Sequence, residues 1–305
     1  MKKKCVIILS EKSSGSSACL NFLCQETTLR AVAHTRHYEN ETLYWVKAAS
    51  LLGLPQENMI DSEVPIPRKQ ARRDLEALIR DNTSGYTLPQ DDEALVHDGW
   101  RALCEAHAPC FLEKSPHHLC QWSALELIAA TMERNRDVDF LLIGLVRNPM
   151  DTIYSQFDRW RHTPSAMEKQ WLTAYRNLQR LEALVGPERI VKLRYEDMVR
   201  DPQQHLRRVF EFCGVTNPQI DTAYLHTDSL QRWKDKSWFG FCLSEEAMNF
   251  AEDLGYERSH MENTPASVWP YTQPALRLQY KLIYPLKKLY RRVKYPEKRR
   301  SLFGR

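Results

Sequence analysis

The most apolar stretch of the 305-residue chain is Phe140-Leu-Leu-Ile-Gly-Leu-Val146, and it runs directly into Arg147-Asn148-Pro149. A strand that is apolar at every position is typical of a parallel sheet covered on both faces. Proline is well tolerated in the first turn of a helix. The stretch therefore predicts a buried strand, a polar turn that carries Arg147, and a helix that continues to about Arg161.

Shorter apolar runs on both sides of this stretch predict further strands, at residues 6–10, 29–34, 110–113 and 190–195. Amphipathic segments separate them and predict helices at residues 16–26, 41–52, 69–81, 92–106, from Pro116 onward, 167–184 and 202–213. Strands that alternate with helices indicate an α/β fold of three layers, with a mainly parallel sheet flanked by helices. In such folds ligands bind beyond the carboxyl ends of the strands. We expect a single domain over residues 1–273.

Charge is distributed unevenly along the chain. Residues 274–305 hold 11 Lys and Arg against the single acidic residue Glu297, whereas the rest of the chain is mildly acidic. The eight cysteines show no metal-ligand spacing, and we expect no metal and a reducing, cytoplasmic compartment. No run approaches the ~20 apolar residues of a membrane-spanning helix.

The first predicted strand leads into a loop of small residues, Glu11-Lys12-Ser13-Ser14-Gly15-Ser16-Ser17. Consecutive N–H groups of such a loop, together with a helix N-terminus, can surround an anion. Lys12 adds a full charge, and the hydroxyls of Ser14, Ser16 and Ser17 are further donors. A capped polar turn is the alternative. Kinases and ATPases with such a loop have a Lys after its last glycine and an Asp at the end of a later strand. Here Ser16 follows Gly15 and the strongest strand ends in Arg147, so both residues are missing.

A second anion site is predicted where the strongest strand ends. Arg147 projects there from the ligand-binding edge of the sheet, and Ser155 and Arg159 follow on one helix face. An Arg fork together with a hydroxyl suits a phosphate group. The alternative is a structural ion pair between Arg147 and Asp151.

Together these segments resemble the signature elements of the sulfotransferase family that uses 3′-phosphoadenylyl sulfate (PAPS). Ser14–Ser17 is similar to its loop for the 5′-phosphosulfate, and Val146–Ser155 to its 3′-phosphate motif. Leu193–Pro202 resembles a third segment, in which Tyr195 would lie near the adenine. Phe111–His117 looks like the Glu-Lys-Ser/Thr-Pro segment of bacterial and carbohydrate-modifying members.

The resemblance implies a P-loop nucleoside-triphosphate-hydrolase-like fold and sulfuryl transfer from PAPS to a hydroxyl, without a metal. It places nucleotide contacts at Ser13, Ser14, Gly15, Ser16, Ser17, Arg147, Ser155, Tyr195 and Arg232, the last in a segment that resembles one closing over the nucleotide. Many members have a basic residue where this chain has Ser13. Either Lys12 or Lys114 is therefore expected to supply the cation at the leaving oxygen.

The general base has several candidates. The family's acidic base favours Glu39 or Glu41, while Glu113, His117 and His118 follow the next strand. Histidine suits a base near neutral pH, whereas a glutamate needs a pKa raised by burial. We place His117 and Glu39 first.

The remaining predictions concern alternatives and partners. Ser13 is compatible with an inactive nucleotide-binding regulatory protein, and a phosphoryl-transfer enzyme is a third hypothesis. The acceptor is expected to be a hydroxyl-bearing sugar, lipid, peptide or small molecule rather than a nucleic acid polymer. Residues 61–107 are expected on the acceptor side, with basic and aromatic side chains at Arg68, Lys69, Arg72, Arg73, Tyr86 and Trp100.

The basic tail, residues 274–305, has apolar residues at helical spacing, with Pro285 expected to interrupt the helix. Such a helix either lies on an anionic membrane surface or covers the body of the protein, and we favour the second.

Overall fold

The structure is a computed structural model that describes residues 2–35, 37, 39–59, 62–216, 218, 221–222, 225 and 227–294. Its centre is a parallel sheet of five strands in the order β2-β3-β1-β4-β5. The strands are β1 (Lys3–Ser10), β2 (Leu29–Arg30), β3 (Cys110–Lys114), β4 (Val138–Val146) and β5 (Ile190–Arg194). The predicted parallel sheet is confirmed.

Eleven helices connect or flank the strands in the described part of the chain. They are α1 (Ser16–Leu23), α2 (Tyr44–Leu51), α3 (Arg68–Asn82), α4 (Asp92–Ala106), α5 (Trp122–Arg134), α6 (Pro149–Trp160), α7 (Pro164–Val185), α8 (Tyr195–Arg200), α9 (Pro202–Cys213), α10 (Glu245–Asp253) and α11 (Trp269–Lys294). No helix among the described residues combines the length and the apolar character needed to span a bilayer.

The side chains of β1 alternate between two hydrophobic cores, one on each face of the sheet. Ile7 and Leu9 join the larger core with α2 to α7, whereas Val6 and Ile8 join the smaller core with α1, α8 and α9. The apolar run of β4 divides in the same way, with Leu142 in the larger core and Ile143 in the smaller. The molecule therefore has the three predicted layers, an α/β fold with helices on both faces of the sheet.

Two boundaries differ by more than three residues from the sequence predictions. The apolar run at 29–34 forms a strand only at Leu29–Arg30. The helix expected from Pro116 begins at Trp122, because residues 116–120 form turns in which the His118 N–H donates to the Ser115 carbonyl, 3.1 Å away. Proline is as well suited to such a turn as to a helix start.

The expected interruption of the tail helix at Pro285 is wrong. Helix α11 continues from Trp269 through Pro274 and Pro285 to Lys294. A proline removes one backbone hydrogen bond and keeps a φ close to the helical value, so an exposed helix can continue past it. Residues 295–305 of the tail lie outside the described residues.

Candidate active site

The order of the strands brings three loops to one edge of the sheet. β1 lies between β3 and β4, and its last residue, Ser10, is paired with Leu145 near the end of β4. Lys114 ends β3 next to Ile8. A cleft of about 300 Å³ opens there, lined by Lys12, Ser13, Gly15, Ser16, Ser17, His37, Glu39, Glu41, Glu63, Pro116, His117, Arg147, Ser155, Arg159, Trp160 and His162. The two predicted anion sites share this cleft.

The loop after β1 is built to expose backbone N–H groups. Ser13 and Gly15 both have left-handed backbone conformations, with φ of 64° and 88°. Gly15 precedes the first turn of α1, and no side chain caps that turn. Uncapped N–H groups at a helix N-terminus, next to the side chain of Lys12, form an environment that favours an anion.

Gly15 also accommodates an aromatic ring. A Cβ atom at this position would lie 2.2 Å from Cε2 of Tyr195, much closer than van der Waals contact allows. The Tyr195 ring also contacts the Arg147 guanidinium, which lies 4.7 Å from the ring centroid. Tyr195 is buried, and its hydroxyl lies 3.1 Å from Oγ of Ser229. The ring therefore fixes Arg147 relative to the loop.

Arg147 joins three distant parts of the chain. Its Nη1 donates to the Ser13 carbonyl at 2.8 Å, and its Nη2 donates to the Ser229 carbonyl at 2.7 Å. Its buried Nε has no hydrogen-bond partner among the described residues. The alternative ion pair with Asp151 is not formed, since that carboxylate accepts the Gln231 N–H at 2.7 Å. Arg147 retains donors for an anion in the cleft.

A buried cluster of ionisable side chains also lies at the cleft. Oε1 of Glu41 accepts a hydrogen bond from Lys114 Nζ at 3.0 Å, and Oε2 lies 3.3 Å from His117 Nδ1 and 3.6 Å from His37 Nδ1. Lys114 Nζ also donates to Ser17 Oγ at 3.0 Å. Lys114 thus connects the loop after β1 to Glu41.

Burial and charge give this cluster defined protonation states. Burial by itself would raise the pKa of Glu41, but contact with His117 and the charge of Lys114 outweigh it and hold that pKa below its usual value. Burial, together with the charge of Lys12, lowers the pKa of His117 to about 4. At neutral pH the cluster therefore contains a glutamate anion and an uncharged imidazole, which can accept a proton.

The structure separates the predicted base candidates by their surroundings. Glu39 lines the cleft but forms an ion pair with Arg159. Glu113 and His118 are completely enclosed, and Glu113 accepts hydrogen bonds from Thr42 and Ser115, each at 2.6 Å. They lie outside the cleft lining and hold the segment behind it in place.

The other predicted site residues divide into two groups. Ser155, like Ser16 and Ser17, lines the cleft. Ser14 is buried with its Oγ 3.0 Å from the Tyr175 hydroxyl, and Arg232 lies outside the lining, 3.8 Å from Asp158.

The sequence analysis missed Glu63, Trp160 and His162, which line the cleft, and Ser229, which contacts Arg147 through its carbonyl. Trp160 and His162 follow the predicted Arg147–Arg159 face closely enough to have been proposed from it. Ser229 contacts Arg147 through its backbone carbonyl. A pattern of side chains in the sequence does not predict a contact of this kind.

A second buried carboxyl lies directly behind the loop. Glu11 is fully enclosed, and its Oε1 accepts hydrogen bonds from Gln156 (3.3 Å) and Gln170. Burial raises the pKa of Glu11 to about 7, against the opposing effects of Gln170 and Lys12. Its Oε2 has no hydrogen-bond partner within the described structure.

A second cavity, of about 310 Å³, adjoins the cleft and shares Trp160 and His162 with it. The other residues that line it are Arg161, Thr163, Arg277, Tyr280, Lys281 and Tyr284. The rings of Trp160 and His162 stack with centroids 5.4 Å apart. Helix α11 therefore forms one wall of this cavity, which is both basic and aromatic.

The acceptor-side role of residues 61–107 stays a prediction, and the structure shows what this stretch contributes to the cleft. Glu63 is the one residue of 62–107 in the cleft lining. Trp100 is fully buried against Tyr44 and Trp45, and Arg72 pairs with Asp92. Among the described residues no three His, Cys, Asp or Glu side chains are grouped as metal ligands.

Comparison with solved structures shows the same fold in sulfotransferase domains. The domain from the Synechococcus PCC 7002 olefin synthase is 19% identical, with a TM-score of 0.55 over 84% of this chain and 96% of that one. The domain from the curacin biosynthetic pathway is 20% identical, with a TM-score of 0.51 over 83% of this chain and 97% of that one. At these identities the similarity establishes the fold.

Among curated proteins no match is found. The model of the sulfotransferase family, in contrast, matches residues 6–219. This region contains the loop at Gly15, the Glu41 cluster, Arg147 and Tyr195. The match extends over more than half of the sequence, and the predicted family is confirmed: the chain belongs to the sulfotransferase family.

Proposed function

We propose that the protein transfers a sulfuryl group from PAPS to a hydroxyl of an acceptor, releasing adenosine 3′,5′-bisphosphate. One observation carries this proposal: the Gly15 loop and Arg147 line the same cleft. The buried Nε of Arg147, which lacks a partner among the described residues, and the uncapped first turn of α1 are donors suited to a nucleotide with two separate anionic groups.

The residues of the loop fit the charged end of the donor. The N–H groups at Gly15 and Ser16, in the uncapped first turn of α1, together with Lys12 in the cleft and Lys114 behind Ser17, would stabilise the negative charge that develops on the leaving phosphate oxygen. When bound, PAPS supplies an activated sulfuryl group whose bridging S–O bond breaks as the acceptor oxygen forms a new one. Lys114 satisfies the need for a cation that Ser13 leaves open.

The Glu41 cluster fits the role of proton acceptor. The uncharged imidazole of His117 can take the proton of the acceptor hydroxyl, and the Glu41 carboxylate, 3.3 Å from its Nδ1, would stabilise the imidazolium that forms. This arrangement resembles the pairing of a base with an orienting carboxylate. In this proposal His117, one of the two bases placed first, accepts the proton, and the carboxylate that acts with it is Glu41 rather than Glu39.

The second cavity fits the acceptor. Arg277 and Lys281 line it without ion-pair partners within the described part of the chain, whereas Arg161 pairs with Asp158. Aromatic walls with unpaired cations favour a sugar or other hydroxyl compound that also bears an anionic group. The shared residues Trp160 and His162 would lie between the acceptor and the donor.

The test compares two nucleotides and one substitution. Adenosine 3′,5′-bisphosphate should bind more tightly than adenosine 5′-monophosphate, because it alone presents a 3′-phosphate to Arg147. In Arg147→Gln this preference should fall by about tenfold to a hundredfold, the contribution of a charge-assisted contact. Titration calorimetry with both nucleotides, and with ATP and Mg²⁺, measures it. An unchanged preference in the variant, or tighter binding of ATP with Mg²⁺, would contradict the proposal.

Binding alone does not establish catalysis. Transfer of labelled sulfate from PAPS to a panel of sugar, lipid and phenolic hydroxyl acceptors, with and without an anionic group, distinguishes an enzyme from a nucleotide-binding regulatory protein. We expect transfer to at least one acceptor. Tight binding of the bisphosphate with no transfer to any acceptor would assign the regulatory role instead.

A further inference from the structure

Helix α11 carries a continuous apolar stripe that the rest of the protein leaves uncovered. The stripe consists of large side chains spaced three or four residues apart, or seven where Ala275 intervenes, and each is more than half exposed: Tyr271 (80%), Leu278 (61%), Leu282 (71%), Leu286 (66%), Leu289 (56%) and Val293 (71%). At 3.6 residues per turn these positions fall on one face of the helix. Most other large apolar side chains of the described chain are buried in the two cores.

A different face of the same helix contacts the body. Leu276 packs against the larger core, and Tyr280 and Tyr284 form the wall of the second cavity. Contact with the body therefore accounts for these residues and leaves the stripe facing outward. The prediction that the tail covers the body describes only this inner face.

The charge of the helix favours an anionic partner for the stripe. Residues 269–294 contain seven Lys and Arg and no Asp or Glu. A second copy of the helix would place two wholly basic segments side by side, with like charges along the contact. An anionic lipid surface supplies both the missing negative charge and an apolar phase for the stripe.

We propose that helix α11 binds an anionic membrane surface, with Leu282, Leu286 and Leu289 inserted at the level of the acyl chains and the net positive charge of the helix attracted to the anionic headgroups. The helix then lies in the plane of the interface, as expected for an amphipathic helix whose charged residues are all basic. Because α11 also forms a wall of the second cavity, binding holds that cavity next to the membrane. The proposal does not depend on the chemistry of the cleft.

The test uses the full chain and vesicle flotation without nucleotide. The vesicles contain phosphatidylcholine alone or phosphatidylcholine with about 30 mol % phosphatidylserine. Wild-type protein should float with the anionic vesicles, much less with the neutral ones, and should be released as salt is raised. The triple variant Leu282→Gln, Leu286→Gln, Leu289→Gln keeps good helix formers and should lose about tenfold or more of its partitioning.

The control is Leu184→Gln, which removes an exposed leucine (54%) from α7 and should float like wild type. Unchanged affinity of the triple variant for adenosine 3′,5′-bisphosphate shows that its fold is intact and separates this test from the proposed function. Equal flotation of wild type and triple variant, or none of wild type, overturns the proposal. A wild-type dimer that the triple variant dissociates, without vesicle binding, assigns the stripe to a second copy and overturns it as well.

Discussion

Gly15 is the residue at which backbone conformation and packing are most tightly linked. An alanine there would combine the strain of a positive φ, about 1–2 kcal/mol, with displacement of the Tyr195 ring. Because that ring contacts Arg147, we expect Gly15→Ala to weaken binding of adenosine 3′,5′-bisphosphate by about tenfold or more. Titration calorimetry measures the change.

The matched control is Gly53→Ala, which has a similar φ of 70° and open space around the added methyl group. It should lower the melting temperature through strain alone and leave nucleotide affinity unchanged. Equal affinities in the two variants would show that the contact with Tyr195 has no part in the site.

Glu41 and Glu39 differ in what they contact, and their roles should differ accordingly. Glu41→Gln removes the anion beside His117 and Lys114, and we expect turnover to fall by about a hundredfold or more at saturating donor. Glu39→Gln breaks only the ion pair with Arg159 and should change turnover by a few-fold at most. Steady-state rates of both variants, with nucleotide affinity as a check on folding, decide between them. A larger loss of turnover in Glu39→Gln than in Glu41→Gln would assign the catalytic role to Glu39.

Glu11 should make stability depend on pH. Its folded pKa of about 7 lies above the ordinary value of 4.5, so the folded state is favoured at low pH and loses stability as pH rises from about 4.5 to 7. The full loss is up to about 3 kcal/mol. Glu11→Gln removes this loss of stability, because an amide does not ionise. The variant should melt several degrees above wild type at pH 8 and close to wild type at pH 5. Thermal unfolding at both pH values measures this, and the exposed Glu126→Gln should show no such difference.

At the level of single residues the sequence predicted which loop residues line the cleft better than it predicted the surroundings of the base candidates. Lys12, Gly15 and Arg147 follow strand ends, and parallel strands bring their ends to one edge. The choice between Glu39 and Glu41 depends on the turn between residue 37 and α2, where Leu43 adopts a left-handed conformation. No local pattern predicts which of two nearby carboxylates such a turn directs inward.

At the level of elements, helix α11 provides the cations of the second cavity. The double variant Arg277→Gln, Lys281→Gln should raise KM for an acceptor with an anionic group by about tenfold, with kcat and donor affinity nearly unchanged. An acceptor without that group should be unaffected. Measurement of KM for a pair of acceptors that differ only in the anionic group gives the comparison.

The matched control for this prediction is Lys69→Gln, Arg73→Gln on α3, which removes two exposed cations from the stretch first expected on the acceptor side. This control should leave KM unchanged. If it raises KM and the α11 variant does not, the acceptor binds near α3.

Helix and strand boundaries were predictable where periodicity and end signals agree, as in α4 and α9, which both begin after an aspartate that caps the helix. The boundaries were not predictable near prolines, because a proline is found both in turns and within helices. Pro116 lies in a turn, and Pro285 lies within a helix. A local sequence pattern does not distinguish these two uses of proline.

For the whole molecule, the alternation of strands and helices was enough to predict three layers and a parallel sheet. The order β2-β3-β1-β4-β5 depends on which strands pair, and single-sequence patterns do not encode that pairing. The family resemblance supplied what periodicity could not, since it implied that the loops after β1 and β4 contact one ligand. The structure lines a single cleft with both loops.

The hydrogen bonds of Arg147 to the Ser13 and Ser229 carbonyls connect the beginning, middle and later part of the chain through one guanidinium. An anion that binds the Arg147 guanidinium uses the same N–H groups that donate to the Ser13 and Ser229 carbonyls. It either competes with these two hydrogen bonds or forms beside them. Occupancy of the cleft and local opening of the segment around Ser229 are therefore thermodynamically linked. Amide hydrogen exchange at Leu230 and Gln231 should therefore change when a ligand binds in the cleft, although neither residue lines the cleft.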